Sequence, residues 1–254
     1  MMLKCSHIIC KVDDITTVVR DYEALGFTMQ WGSAPQRAHN ALLWFEHGPF
    51  IEFFQIPTSL SLLSFPLGLI YGRAAGQRFK YWSKCTEGWC DVALEPERVS
   101  SIEMLNGEHP NGEHPNAEYN RKELEDIQLA VRQLGMPTSR IINGKRTRPD
   151  GNLVRYSLFA PKETELPFIV SHYDPPQRPK KIEHPNGATG IEWVKMGLPS
   201  NLMSPFRALI SGDEWLRAES AEITGVLEVG LSGLKESLDT SLLHGAVFAA
   251  ARTK

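Results

Sequence analysis

An excess of charge of either sign is missing from this chain: 27 Lys and Arg stand against 30 Asp and Glu, a formal net charge of −3 over 254 residues. Phosphate backbones are bound by basic faces, so nucleic acid is excluded as a first-choice partner. Long apolar runs are also missing. The longest, Leu60–Tyr71, is broken by Ser61, Ser64, Pro66 and Gly68 and falls far short of the roughly 20 residues of a membrane helix. It reads as a lid or packing loop, and a membrane partner is not expected. Cysteine is sparse: Cys5, Cys10, Cys85 and Cys90 form two pairs, each with four intervening residues. The chain opens without the charged, apolar and small-residue succession of a secretion signal. The four thiols are therefore expected to be reduced and buried, and the location cytoplasmic. On a strand, Cys5 and Cys10 would point to opposite faces, which argues against a zinc knuckle.

What is present is a periodic alternation of strand and helix signals. The run from Cys5 to Val12 is β-rich and ends at Asp13 and Asp14, either of which can cap a helix. Ile15, Val18, Val19, Tyr22 and Leu25 then keep the spacing of one buried helix face, and Gly26 supplies its end. Three strands follow, over Thr28–Gly32, Ala41–Glu46 and Phe50–Ile56, with His47, Gly48 and Pro49 turning a hairpin between the last two. This is a βαβββ unit.

The pattern recurs. Trp89–Leu94 predicts a strand, Leu124, Ile127, Val131 and Leu134 mark a helix face, and Arg140–Ile142, Leu153–Phe159 and Pro167–Ser171 predict three further strands. Leu25-Gly26-Phe27 is matched by Leu134-Gly135-Met136, and Pro49-Phe50-Ile51-Glu52 by Pro167-Phe168-Ile169-Val170, which points to an internal duplication. A tandem Asn-Gly-Glu-His-Pro at 106–115 is expected to be a surface insertion. A stiff connector from Pro175 to Lys181 precedes a third, abbreviated set, with strands over Ile191–Met196, Ile223–Leu231 and His244–Ala251 and a helix around Phe206–Leu216. The expected architecture is α+β: repeated βαβββ modules at 1–57 and 88–174, with the third set at 184–254 packing on the same domain.

The start His7-Ile8-Ile9-Cys10-Lys11-Val12-Asp13-Asp14, the helix end at Leu25-Gly26-Phe27, Ala38-His39-Asn40-Ala41-Leu42 and Phe50-Ile51-Glu52-Phe53 resemble the first module of glyoxalase-like domain proteins of the vicinal-oxygen-chelate superfamily. His184-Pro185-Asn186-Gly187 is similar to their approach to the last part of the domain. The likeness spans most of residues 5–230 and is strongest in the first module. It implies curled mixed sheets around a concave pocket, with helices on the outer faces. It also implies a divalent metal held by side chains of the first and fourth strands of each module, in a superfamily whose reactions differ widely.

On that resemblance His7 and Glu52 take metal-ligand positions, and imidazole with carboxylate suits Zn, Fe, Mn or Ni. Glu52 also stands in an apolar run, where a carboxylate needs a partner. The second module departs from the pattern: Asp91 aligns with His7, and Val170 with Glu52. His172, two residues beyond Val170, is the candidate that would complete a two-histidine, one-carboxylate set. His39 is a candidate acid or base beside Glu52, and Asn40 can orient a substrate oxygen. Trp44 and Phe54 fit a pocket wall, Arg155 a carboxylate clamp, and Glu228, in an echo of the Glu52 segment, an alternative carboxylate. Two functions are compatible with this set. One is a metal-dependent lyase, isomerase or dioxygenase acting on a small oxygenated molecule; the other is a metal-free protein that binds or sequesters a small molecule on the same scaffold. A homodimer is compatible with either.

Overall fold

Asp14 begins the first helix as a cap, its side chain accepting the Thr16 N–H at 2.9 Å, and Gly26 ends it with a backbone in the left-handed region (φ +79°). The computed structural model describes residues 2–97 and 117–250; the tandem Asn-Gly-Glu-His-Pro segment lies outside them. The first module is β1 (Leu3–Val12), α1 (Ile15–Ala24), β2 (Gln30–Trp31), β3 (Asn40–Leu43) and β4 (Phe50–Gln55). The segment expected as a lid or packing loop is helical instead. A 3-10 turn over Thr58–Leu63 leads into α2 (Ser64–Tyr71), followed by α3 (Arg73–Lys84). Pro66 is tolerated because it falls in the first turn of α2, where an N–H has no helical partner to lose. The two helices pack closely: a Cβ at Gly76 would lie 3.0 Å from the Gly68 Cα.

The second module repeats the first in order: β5 (Gly88–Pro96), α4 (Ala117–Gln133), β6 (Ile142–Thr147), β7 (Leu153–Phe159) and β8 (Phe168–Val170). In each copy the first and fourth strands pair in parallel, β1 with β4 and β5 with β8, and the second and third strands extend outward. The copies join through antiparallel β1 and β5 into one curled eight-stranded sheet, ordered β2-β3-β4-β1-β5-β8-β7-β6. The fold is thus α+β with a duplicated unit, as the sequence landmarks imply. Strand limits shift by a few residues. The largest shift is in β6, which starts where the expected strand over Arg140–Ile142 ends.

The remaining residues form β9 (Gly190–Leu198), α5 (Met203–Leu209), β10 (Leu216–Ser220), β11 (Gly225–Ser232) and β12 (Phe248–Ala250) in a second sheet, ordered β10-β9-β11-β12. Here β9 lies between β10 and β11 and is parallel to β10. That topology differs from the βαβββ module, so the third set is not an abbreviated copy. Alternation along the strands sorts the side chains into two populations. Ile8, Cys10, Ile51, Phe53, Val92 and Leu94 enter the main core on the outer face, together with α1, α4 and the second sheet. Their neighbours His7, Ile9, Glu52, Phe54, Phe168 and Val170 line the concave face.

Candidate functional site

The concave face closes around a cavity of about 110 Å³, comparable with cavities that take up a single aromatic ring. Its walls are aromatic. Phe50 stacks on His7 at 4.6 Å and packs tilted against Trp44 at 4.0 Å, Phe168 meets the His7 ring edge-on at 5.8 Å, and Tyr156 and Tyr173 pack together at 5.4 Å. Trp82, from α3, closes one side against Phe54 and Phe168.

On this floor two polar groups meet. His7 Nε2 lies 3.5 Å from Glu52 Oε2, and Asn40 Nδ2 donates to Glu52 Oε1 at 2.7 Å. The three strands β3, β4 and β1 bring them together, since Asn40, Glu52 and His7 all occupy inward positions of adjacent strands. Burial pushes the two groups in opposite directions. It lowers the His7 pKa from 6.5 to about 3, because a buried imidazole resists charging. It raises the Glu52 carboxyl above its ordinary 4.5, with the Asn40 hydrogen bond and the nearby Arg146 opposing the rise. The contact is therefore one between a neutral imidazole and a carboxyl group, not a salt bridge. Arg146 reaches in from β6, donating to the Gly32 carbonyl and, at 3.2 Å, to Gln177 Oε1.

Registry between the copies decides what faces this pair. His7 pairs with Phe50 across β1 and β4, and Ala93 pairs with Phe168 across β5 and β8. The position corresponding to His7 is therefore Ala93, and the expected alignment of Asp91 with His7 is off by two residues. Asp91 is fully engaged elsewhere on the same face: Arg78 Nη1 donates to both of its oxygens at 2.9 and 2.8 Å, Trp82 Nε1 at 2.6 Å and the Val92 N–H at 2.8 Å. The four homologous positions are thus His7, Glu52, Ala93 and Val170. One half of the site is polar and the other half is buried hydrocarbon.

Asn40, Trp44 and Phe54 line the cavity together with His7 and Glu52; the remaining sequence candidates do not. His39 is exposed: it precedes β3 one residue out of phase with Asn40, and its carbonyl accepts the Gln55 N–H. Arg155 is exposed on the opposite face of β7 from the lining residue Tyr156, since neighbours on a strand point apart. Glu228 belongs to the second sheet, opposite Lys195. His172 follows the end of β8 and turns into an adjoining cleft, where its Nδ1 lies 4.0 Å from Glu95. Among the described residues no group of three or more His, Cys, Asp or Glu side chains could hold a metal ion. The donor set does not fit the divalent metal that the family resemblance implies.

Arg146 and Trp82 are not among the sequence candidates, since Arg146 lies beyond the strand expected over Arg140–Ile142 and Trp82 lies on α3, between the two expected modules. The His184-Pro185-Asn186-Gly187 segment is a clasp. His184 Nδ1 accepts the Thr28 N–H at 3.0 Å, the other ring nitrogen lies 2.9 Å from the Trp44 carbonyl, and Asn186 Nδ2 donates to the Leu25 carbonyl at 3.0 Å.

A family model described as a glyoxalase-like domain matches residues 5–202. The chain belongs to the glyoxalase-like domain family. Comparison with curated proteins gave no match. Among solved structures, this glyoxalase-like chain is similar to a hypothetical protein from Staphylococcus aureus, with a TM-score of 0.58 and 12% identity over 98% of this chain and 100% of the other. It is more loosely similar to the 2,3-dioxygenase LapB from Pseudomonas sp. KL28 (TM-score 0.46, 8% identity, 92% of this chain and 75% of that one). A similar score of 0.44, at 8% identity over 91% of this chain and 64% of the other, relates it to homoprotocatechuate 2,3-dioxygenase from Brevibacterium fuscum in complex with 3,4-dihydroxyphenylacetate. At these identities the likeness is one of fold. No helix among the described residues is long and apolar enough to cross a membrane.

Proposed function

We propose that this glyoxalase-like protein binds a small, flat, mostly apolar molecule carrying one oxygen function, and does so without a divalent metal. The observation that carries this reading is the one-sided site: His7 and Glu52 in the first copy correspond to Ala93 and Val170 in the second. The aromatic walls supply burial energy, about 25 cal/mol for each Å² of apolar surface removed from water. The polar pair fixes orientation, as a few placed polar groups do in apolar pockets. A ligand hydroxyl or enol donates to Glu52 when the carboxyl is ionised, and a ligand carbonyl accepts from it when it is protonated.

The opposed shifts of His7 and Glu52 favour a second, compatible reading in which Glu52 moves a proton of the bound molecule, as an acid or base poised towards neutrality. Asn40 would then hold one carboxyl oxygen while the other faces the ligand. A thermal-shift and calorimetric screen of small phenols, enols and cyclic ketones, run with and without chelator, tests the proposal. A ligand should bind equally well in both conditions and lose at least about tenfold in affinity in Glu52→Ala, in keeping with the cost of losing one charge-assisted hydrogen bond. Binding that needs added Zn, Mn, Fe or Ni, or that ignores Glu52, overturns it. Solvent deuterium entering the bound ligand in the native protein and not in Glu52→Gln would establish the proton transfer.

A further inference from the structure

Outside the cavity, the turn between α3 and β5 brings two of the four thiols together. Cys90 Sγ donates to Cys85 Sγ at 3.2 Å, whereas Cys5 and Cys10 are buried. The two sulfurs differ in access. Cys90 is buried, but Cys85 is only partly so, and it opens into a groove lined by Lys80, Lys84 and Lys162 together with Glu163 and Glu165. The sequence-based expectation of four buried thiols therefore fails at Cys85. Lys11 Nζ, bonded to the Cys85 carbonyl at 2.6 Å, adds a further positive charge beside it. The Cys90 S–H bond, with the Tyr81 hydroxyl and Lys11, holds the Cys85 thiol below its usual range against the opposing effects of burial and Asp91, while Cys90, the donor, is pushed up. A partly exposed thiol that accepts a neighbouring S–H and lies beside a lysine is in the environment in which cysteines react as thiolates.

We infer that Cys85 and Cys90 are a peroxide-reactive dithiol, with Cys85 the attacking sulfur and Cys90 the resolving one. In the first step the Cys85 thiolate attacks one oxygen of a hydroperoxide. The O–O bond breaks, the sulfur is oxidised to a sulfenic acid, and the departing alkoxide or hydroxide takes a proton from water. In the second step the Cys90 sulfur attacks the Cys85 sulfur. An S–S bond forms, the S–O bond breaks, and the hydroxyl leaves as water with the Cys90 proton. The sulfurs have only to close from 3.2 Å to the roughly 2.05 Å of a disulfide. Cys90 immediately precedes Asp91, which holds Trp82 on the cavity wall, so the oxidation takes place beside the pocket.

Both thiols fall on one tryptic peptide, Cys85 to Arg98, which makes the reaction readable by mass. After treatment of the native protein with equimolar hydrogen peroxide, that peptide should be lighter by two hydrogens, and dithiothreitol should restore it. In Cys90→Ser, a dimedone adduct should accumulate on Cys85. As a measurement independent of any variant, iodoacetamide should alkylate Cys85 in the reduced native protein at least about tenfold faster than Cys90, Cys5 or Cys10. A peptide of unchanged mass under peroxide, equal alkylation rates, or an adduct on Cys90 in Cys85→Ser overturns the assignment.

Discussion

His7 lies directly across the β1–β5 seam from Ala93, so the imidazole on the cavity floor meets a methyl group where the repeated unit would carry its counterpart. Glu52 and Val170 are the corresponding residues of the two fourth strands, each lying two positions beyond the phenylalanine that pairs with His7 or Ala93. The duplication supplies a symmetric frame, and substitution on one side has made the site asymmetric. Burial raises the Glu52 pKa, and the Asn40 hydrogen bond and the Arg146 charge only oppose the rise.

Restoring the missing donor should create what the native site does not have. Ala93→His, alone or with Val170→Glu, is expected to take the protein from no stoichiometric binding to about one equivalent of Zn, since three or four nitrogen and oxygen ligands then converge. Overpacking at these fully buried positions should cost about 1–3 kcal/mol. Metal analysis of dialysed protein checks the gain, and denaturant titration the cost.

Glu52→Gln should stabilise the unliganded protein at neutral pH. A carboxyl whose folded pKa is raised above 4.5 binds protons more tightly when folded, so its ionisation opposes folding as pH rises through the unfolded value. The variant should melt higher than the native protein at pH 7, each kcal/mol of relief raising the midpoint by about 2–4 °C in a chain of this size. The difference should vanish by pH 4. Thermal scans at the two pH values decide it.

His7 gives the opposite dependence. Its folded pKa of about 3 lies below the unfolded 6.5, so its contribution is complete above pH 6.5 and is lost as pH falls towards 3. His7→Gln should flatten the acid limb of the stability profile over that window. Urea midpoints between pH 4 and pH 7 provide the test, and a slope unchanged by the substitution would refute the neutral-imidazole assignment.

Arg78 and Asp91 are both almost fully buried and are joined at 2.8 Å; Arg78 also donates to the carbonyls of Thr164, Glu163 and Leu166. Arg78→Met should cost about 3–5 kcal/mol, because it leaves the Asp91 carboxylate uncompensated. Arg78→Met with Asp91→Leu should recover part of the loss. Chemical denaturation of the three proteins measures it.

His184→Ala should cost about 1–3 kcal/mol, the price of leaving the Thr28 N–H and the Trp44 carbonyl without their partner. Because the ring accepts from Thr28 through Nδ1, His184→Asn, which keeps an acceptor and a donor on a shorter side chain, should cost less.

The amino-acid sequence by itself determined the duplicated βαβββ units and the helix ends at Gly26 and Gly135, because these are properties of local periodicity and capping; the inward placement of His7 and Glu52 followed from the family resemblance. It could not determine the register between strands far apart in the chain. A slip of two residues on β5 preserves every alternation and still exchanges Asp91 for Ala93 opposite His7. Nor did local pattern mark Trp82 or Arg146, which reach the cavity from a helix inserted between the modules and from the outermost strand of the second one. Face selection at Arg155 and Tyr156, and the turn that sends His172 towards Glu95, were likewise settled only when the sheet curled and α3 packed against it. The donors, walls and cations of a site on a curled sheet come from strands distant in sequence, and only tertiary packing fixes which of them meet.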